Sequence, residues 1–216
     1  MPSRASTAFP RGSDEFTRVL TFSDGLFAIS MTLLVVGIGI PDLGGHGGDE
    51  RAMLEALSDL LPEIVSFVIS FAVIGRYWLA HHQTFARLAA LDYGLIAWNL
   101  LYLAFIAFLP FPTGLLGSYF ENPVSVALYA LLAGTVSGLE VVVFRHAHRH
   151  GLLTRPMPEQ IFRWGALASL LPVLFFFLSM PVAFVSTTLA VAAWCLVVPA
   201  EMLLNLRAPA EARDWL

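Results

Sequence analysis

A long apolar segment near the start of the chain, residues 18–40, follows helical periodicity. It contains about the 20 residues that a helix needs to cross a hydrocarbon core. At about 100° per residue its larger side chains share one stripe roughly 80° wide, whereas Ser23 and Ser30 point elsewhere. The stripe consists of Phe22, Leu26, Ile29, Leu33, Val36 and Ile40. We therefore predict a membrane-spanning helix with one functional face.

Five further apolar segments bring the number of predicted spans to six. The spans cover about residues 18–40, 57–80, 94–116, 124–144, 162–180 and 182–206. Ser13 precedes two acidic residues and predicts the N-cap of the first helix. Pro110 and Pro112 must bend or end the third span, and the short connection between the last two spans predicts a tight antiparallel hairpin. We expect one all-α membrane domain over residues 1–216.

The composition agrees with a membrane protein. Hydrophobic residues make up 57% of the chain and charged residues only 13%, whereas soluble domains carry about 25% charged residues. The lone Cys195 excludes a disulfide framework or a cysteine-based metal site, and we expect it to be a small buried apolar residue. The first apolar run is too long for a signal peptide, so no cleavable leader is expected.

The arginines decide the orientation, because arginine concentrates on the cytoplasmic side of membrane proteins. With six spans, both termini share a side with the second-to-third and fourth-to-fifth connections. That side holds all of the 12 basic residues except Arg51, and every one of the 12 is arginine. They are Arg4, Arg11, Arg18, Arg76, Arg87, Arg145, Arg149, Arg155, Arg163, Arg207 and Arg213. We predict a multi-pass protein of the cell (plasma or inner) membrane with both termini cytoplasmic.

Two charges, Arg18 and Asp24, lie within the first span, where they are costly unless they pair or line a wet cavity. Asp24 lies roughly 140° around the helix from Ile29, toward the protein's own helices. It is therefore a poor candidate for an ion-coordinating ring. A pair with Arg18 that fixes the helix is the favoured interpretation.

Histidines mark the cytoplasmic end of the second span. His81 and His82 lack the helical spacing and the third ligand of a zinc site, so no metal is predicted there. A hydrogen bond from His81 to Asp24, or to the buried amide of Asn99 in the third span, is more plausible.

Further along the chain, segment 145–155 concentrates arginine and histidine. We predict a membrane anchor near anionic lipid head groups, with a pH or lipid sensor as the alternative. Glu140 and Glu201 lie within reach of arginines near cytoplasmic helix ends, so no transport role is predicted for them.

Several motifs are absent from the sequence. It has no TVGYG-type filter, no Walker A motif, no HExxH and no GxSxG. A membrane enzyme using His81, His82 and Asp24 would lack a nucleophile or a metal set. We therefore expect no enzymatic activity, no cofactor and no nucleic-acid partner.

Three segments carry a family resemblance. Arg18-x-x-x-Phe22-Ser23-Asp24 followed by GLFAI resembles the signature of the lysosomal potassium channel family and its prokaryotic homologues. YWLAHHQTF at 77–85 and NLLYLAFIAFLPFPTG at 99–114 resemble the second and third helices of that family. The likeness covers the first 114 residues well.

The resemblance implies a six-helix subunit, four copies of which surround a pore lined by the first span. Apolar rings at Ile29, Leu33 and Val36 would form the constriction, and the family's pore-adjacent hydroxyl would correspond to Thr32. A polar network at the cytoplasmic end would comprise Arg18, Phe22, Ser23, Asp24, His81 and Asn99.

The leading hypothesis is a passive, modestly selective potassium channel that is a homotetramer in the bilayer, with K⁺ as the permeant ion. Ordinary packing of the apolar stripe against lipid or neighbouring helices is the plain alternative. A second alternative is a proton or cation transporter that uses Arg18, Asp24 and His81.

Overall fold

The computed structural model describes residues 8–43 and 49–208, and most of these residues are helical. The helices are α1 Asp14–Val36, α2 Glu50–Asp59, α3 Leu61–Ala86, α4 Tyr93–Phe108, α5 Pro110–Ser118, α6 Pro123–Arg149, α7 Glu159–Ala183, α8 Thr187–Trp194 and α9 Val197–Leu206. Two short strands, β1 Phe9–Pro10 and β2 Ala90–Leu91, pair antiparallel. The all-α class is confirmed apart from these two strands, which the sequence pattern did not predict.

Six stretches of these described residues are long and apolar enough to cross a membrane, as predicted. They correspond to α1, α3, α4 with α5, α6, α7, and α8 with most of α9. Two of these stretches are each divided into two helices. Pro110 begins α5 after a break at Leu109, which confirms the predicted effect of the prolines. Cys195 and Leu196 separate α8 from α9.

The ends of the first two spans differ from the prediction. Ser13 caps α1 as predicted, because its hydroxyl oxygen accepts from the Phe16 amide at 3.2 Å. However, α1 ends at Val36 with Gly37 as its C-cap, so Ile40 lies beyond the helix and cannot belong to its apolar stripe. The predicted second span begins too early, because residues 57–59 belong to the separate helix α2, none of whose residues is buried.

The second half of the chain differs from the prediction in one respect and agrees with it in another. Helix α6 continues to Arg149, beyond the predicted end of the fourth span at about residue 144, so the first part of segment 145–155 is helical. Helices α7 and α8 are joined by residues 184–186, which confirms the predicted hairpin. The Trp194 indole donates to the Ser179 hydroxyl at 2.8 Å and holds these two helices together.

The core has two main parts within the bundle. One lies among α1, α3, α4 and α6 and is centred on Phe27, Ile74, Tyr102, Leu103 and Val136. The other lies among α5, α6, α7 and α8 and is centred on Leu116, Tyr129, Ala133, Phe176 and Trp194. Helix α6 contributes to both, so it is the central helix around which the others are arranged.

One end of the bundle gathers the connections that the sequence predicted to share a side. Strand β1 precedes α1, and β2 lies in the connection between α3 and α4. Leu153, in the connection between α6 and α7, forms a bridge with Leu88. These contacts confirm that the three segments lie together. Arg4, Arg213 and residues 44–48 lie outside the described residues.

Cys195 is exposed, which corrects the expectation that it is buried. It lies between α8 and α9 and lines an apolar groove with residues of α3 and α7. A membrane-embedded surface is itself apolar, so hydrophobicity in the sequence does not separate buried positions from lipid-facing ones.

Candidate functional site

The outer face of α1 is the apolar face predicted from the sequence. Ile29, Leu33 and Val36 have 61%, 47% and 73% of their surface exposed in the single subunit. Phe22 and Thr32 are also exposed. The other side of the helix is buried and comprises Ser23, Phe27, Ser30 and Leu34. One stripe residue, Leu26, is instead partly buried against the core.

Three hydroxyl groups of α1 donate to carbonyl groups of the same helix. Ser23 donates to the Val19 carbonyl at 2.8 Å, and Ser30 donates to the Leu26 carbonyl at 2.9 Å. Thr32 donates to the Ala28 carbonyl at 2.8 Å, but its side chain lies on the exposed face. The Thr32 oxygen therefore keeps acceptor capacity on that face.

A buried polar network ties α1 to α3 and α4. The Asn99 amide nitrogen donates to the Ser23 hydroxyl at 3.0 Å, and the Asn99 amide oxygen lies 2.9 Å from Nε2 of His81. All three side chains are buried. Of the two partners considered for His81, the structure selects Asn99 and not Asp24. The expectation that the Asn99 amide needs a partner is also confirmed.

Asp24 and Arg18 do not form the predicted pair. The Asp24 carboxylate accepts a hydrogen bond from the Trp78 indole of α3 at 2.9 Å, so it faces the protein's own helices as predicted. Arg18 is exposed and makes no hydrogen bond or ion pair with any described residue of the same subunit. It projects beside an open groove of about 500 Å³ between α1 and α4.

A partly buried charge cluster, formed by Arg76, Glu140 and Glu201, joins α3, α6 and α9. Arg76 Nε donates to Glu201 at 3.2 Å, and Arg76 Nη1 lies 3.7 Å from Glu140. The sequence placed arginines within reach of both glutamates, and the structure identifies Arg76 as the partner of both. The cluster lines a cavity of about 310 Å³ that also contacts Gln83 and Arg87.

An acid–histidine pair links the connection before α4 to helix α6. His146 Nε2 lies 2.9 and 3.1 Å from the two oxygens of Asp92, which also caps α4 by accepting from the Leu95 amide. Gly94 makes this possible, because a Cβ there would lie 2.6 Å from His146 Cε1. Burial opposes ionisation of Asp92, but these hydrogen bonds and His146 outweigh it and lower the pKa of Asp92.

The sequence analysis did not predict this pair, although His146 and His150 are spaced by one helical turn. Asp92, His146 and His150 place one possible metal-ligand atom each within 4.8 Å of one another. However, the rings of His146 and His150 stack with centroids 3.9 Å apart, so their lone pairs do not converge on one point. The arrangement fits a hydrogen-bonded pair with a stacked neighbour better than a metal site.

Comparison with known proteins adds independent information. The family model described as "Endosomal/lysosomal potassium channel TMEM175" matches residues 18–110. A potassium channel from Streptomyces collinus is 37% identical over 147 residues, which cover 66% of this chain and 69% of the relative. A potassium channel from Chamaesiphon minutus is 36% identical over 137 residues, which cover 63% of this chain and 66% of the relative.

A solved structure has the same fold. The crystal structure of a lysosomal potassium-selective channel TMEM175 homolog from Chamaesiphon minutus superposes with a TM-score of 0.71 at 28% identity. The superposition covers 92% of this chain and 100% of that structure. The matched region contains most of α1 and all of α3 and α4, which are the elements that build the polar network described above. The chain is a multi-pass membrane protein that belongs to the TMEM175 family.

Proposed function

We propose that the chain is the subunit of a passive potassium channel whose pore is lined by α1. The observation that carries the proposal is the division of α1 into two faces. Ser23, Ser30 and Phe27 are buried against the subunit, whereas Ile29, Leu33 and Val36 are exposed on its surface. Relatives that carry the name potassium channel support K⁺ as the permeant ion.

The proposed assembly is a homotetramer. One subunit presents one such face and cannot enclose an ion path alone, and closed rotational symmetry is the common way to form a ring of identical subunits. Helices with side chains are roughly 10 Å across, so four copies of α1 leave a central channel that apolar side chains can narrow. Arg18, exposed in the single subunit beside the groove of α1 and α4, lies where a neighbouring copy would pack.

In this arrangement Ile29, Leu33 and Val36 form successive apolar rings along the axis. They lie about one helical turn apart, so an ion meets them in sequence. Such rings impede ions through the cost of dehydration and through pore width, and they open or close by wetting and dewetting. Selectivity for potassium over sodium is therefore modest. The Thr32 hydroxyl, next to the rings, offers an oxygen to an ion that has lost part of its hydration shell.

The remaining parts of the proposal follow from the fold. Both termini and the connections near Leu88 and Leu153 lie on the cytoplasmic side of the plasma or inner membrane, because the arginines cluster there. Ion permeation through such a pore requires neither a cofactor nor a resident metal. The Ser23–Asn99–His81 network and the Asp24–Trp78 contact hold α1 in the orientation that presents its apolar face to the axis.

The alternative of a proton or cation transporter is less well supported. It requires a relay through Arg18, Asp24 and His81, but Asp24 is hydrogen-bonded to Trp78 and His81 to Asn99. Among the described residues of one subunit, no hydrogen bond connects Arg18 to Asp24 or to His81.

Cysteine accessibility tests the proposal directly. The native Cys195 is exposed, so the experiment is performed in a Cys195→Ser background. Small membrane-impermeant thiol reagents are expected to block channels that carry Ile29→Cys or Leu33→Cys. Ser30→Cys channels should be protected, because Ser30 is buried.

A second control separates a pore from a lipid-facing surface. Leu178 of α7 is also largely exposed in the subunit, but we expect it to face lipid and its cysteine variant not to be blocked. Equal reaction at Leu178 and Ile29, or block at Ser30 alone, would contradict a pore lined by α1. Native mass measurement of the same preparation should give four subunits, and a dimer would contradict the tetramer.

A further inference from the structure

The hydrogen bonds among Ser23, Asn99 and His81 have a fixed direction. Ser23 donates its hydrogen to the Val19 carbonyl, so its oxygen accepts from the Asn99 amide nitrogen. The Asn99 amide oxygen therefore faces His81 and can only accept. It follows that Nε2 of His81 carries a hydrogen and that Nδ1 of the neutral ring carries a lone pair.

That second nitrogen lacks a partner. Nδ1 of His81 is buried and makes no hydrogen bond to any residue that the structure describes, and the whole side chain is 3% exposed. Phe85 and Tyr102 stack on the ring with centroids at 4.0 and 5.9 Å and hold its plane, and the hydrogen bond to Asn99 fixes its rotation within that plane. An unsatisfied buried polar atom destabilises the folded state, and native structures contain few of them.

A small void adjoins the His81 ring. Its volume is about 10 Å³, which corresponds to roughly one water-sized sphere. A buried water also needs two to four polar partners, and four of the six lining side chains carry polar atoms. The lining residues are His81, Thr84, Phe85, Tyr102, Glu140 and Val143.

We propose that one buried water molecule occupies this void and bridges His81 to Glu140. The water donates one hydrogen to Nδ1 of His81 and the other to the Glu140 carboxylate. Glu140 lies 3.7 Å from Arg76, whose charge cluster lines the cavity of about 310 Å³. The water thereby completes a polar path from Ser23 on α1 to that cavity.

Glu140 is accordingly a positioning residue for His81. Through the water it favours a lone pair on Nδ1, which keeps the hydrogen on Nε2 where Asn99 requires it. This proposal concerns the interior of one subunit and does not depend on the ion that the assembly conducts.

Filling the void tests the proposal. Val143 lines the void and is buried, so Val143→Ile adds one methylene to the space assigned to the water. If water fills the void, the larger side chain displaces it, strands Nδ1 of His81 and lowers the midpoint of thermal unfolding. If the void is dry, filling it leaves the midpoint unchanged or raises it.

A double-mutant cycle separates loss of the water from simple overpacking. In a His81→Leu background no Nδ1 exists, so Val143→Ile should then lose most of its destabilising effect. An equal decrease of the midpoint in both backgrounds would assign the effect to overpacking and overturn the proposal.

A density map of the wild-type protein provides a measurement that does not depend on folding of the variants. We expect a water peak within hydrogen-bond distance of His81 Nδ1 and Glu140, and its absence in Val143→Ile. A wild-type map that resolves other buried waters but shows no peak in this void would also overturn the proposal.

Discussion

The amide oxygen of Asn99 lies 2.9 Å from Nε2 of His81, deep between α3 and α4. Because the same amide donates to Ser23, one side chain of α4 fixes both α3 and α1. This junction holds the serine side of α1 inward and leaves its apolar side uncovered. The orientation of the proposed pore face thus depends on a polar contact outside the pore.

Removing this junction should destabilise the subunit. Asn99→Leu leaves the Nε2 hydrogen of His81 without an acceptor in a buried position, which we expect to cost about 1–3 kcal/mol. The thermal midpoint of the assembled protein in detergent measures the effect. Leu100→Ala, on an exposed part of the same helix, is the matched control and should cost much less. A larger loss for Leu100→Ala would contradict the assignment.

The hydrogen bond between Asp24 and Trp78 predicts that substitutions of these two residues are energetically coupled. Trp78→Phe keeps a ring but removes the indole donor, so we expect a loss of about 1 kcal/mol of unfolding free energy. Asp24→Asn combined with Trp78→Phe should show coupling, because the two side chains are hydrogen-bonded.

Asp24→Asn combined with Arg18→Ala provides the control. These two side chains do not contact each other, so their effects should add within about 0.5 kcal/mol. Strong coupling between Arg18 and Asp24 would restore the pair expected from the sequence and contradict the structure.

The charge cluster should be among the most sensitive features of the fold. Arg76→Met leaves the partly buried Glu140 and Glu201 without their cation, so the cost should approach the roughly 3–5 kcal/mol of breaking a fully buried pair. Arg51→Ala removes the exposed pair with Glu55, whose oxygen lies 3.1 Å away, and should cost less than about 1 kcal/mol. Similar midpoints for the two variants would show that the cluster stabilises the fold no more than an exposed ion pair does.

Asp92 predicts a dependence of stability on pH. Because its pKa is lowered on folding, its carboxylate stabilises the folded state above the ordinary aspartate pKa of about 3.9. This contribution is lost as the pH falls through the lowered value. Asp92→Ser keeps a capping oxygen but removes the charge, so its midpoint should fall less than that of the wild type between about pH 5 and pH 3. An equal decrease of the midpoint with falling pH in the wild type and in Asp92→Ser would contradict the role of the carboxylate.

Hydropathy and helix-capping chemistry predicted much of this architecture. The number of spans, the cap at Ser13 and the break near Pro110 all depend on residues that are neighbours in sequence. The burial of Asn99 followed from the cost of an amide in an apolar span, and helical geometry correctly turned Ser23 and Ser30 away from the exposed face.

The differences arise where tertiary contacts decide. Asp24 is paired with Trp78 and not with Arg18, because α3 brings an indole donor closer than the same helix brings its own arginine. The strands at Phe9 and Ala90 are set by pairing between distant segments, which local propensity does not encode. Cys195 was expected to be buried because an apolar run has the same composition whether it faces protein or lipid.

Ile29 is expected to control permeation. Ile29→Asn introduces a polar ring, which lowers the cost of wetting the constriction, so cation flux should rise and the preference for potassium over sodium should weaken. Conductance and reversal potential of the reconstituted variant measure this. Leu178→Asn, on the exposed face of α7, is the control and should leave both unchanged. Unchanged permeation in an assembled Ile29→Asn variant would remove Ile29 from the constriction.

The central claim is best tested by recording from the purified wild-type protein in a planar bilayer, with potassium on one side and sodium on the other. We expect discrete unitary currents without added cofactor, and a reversal potential displaced toward the potassium equilibrium potential. The displacement should be smaller in the Ile29→Asn variant. Saturating transport without unitary events, or a wild-type reversal potential that follows the proton gradient alone, would contradict a passive potassium channel.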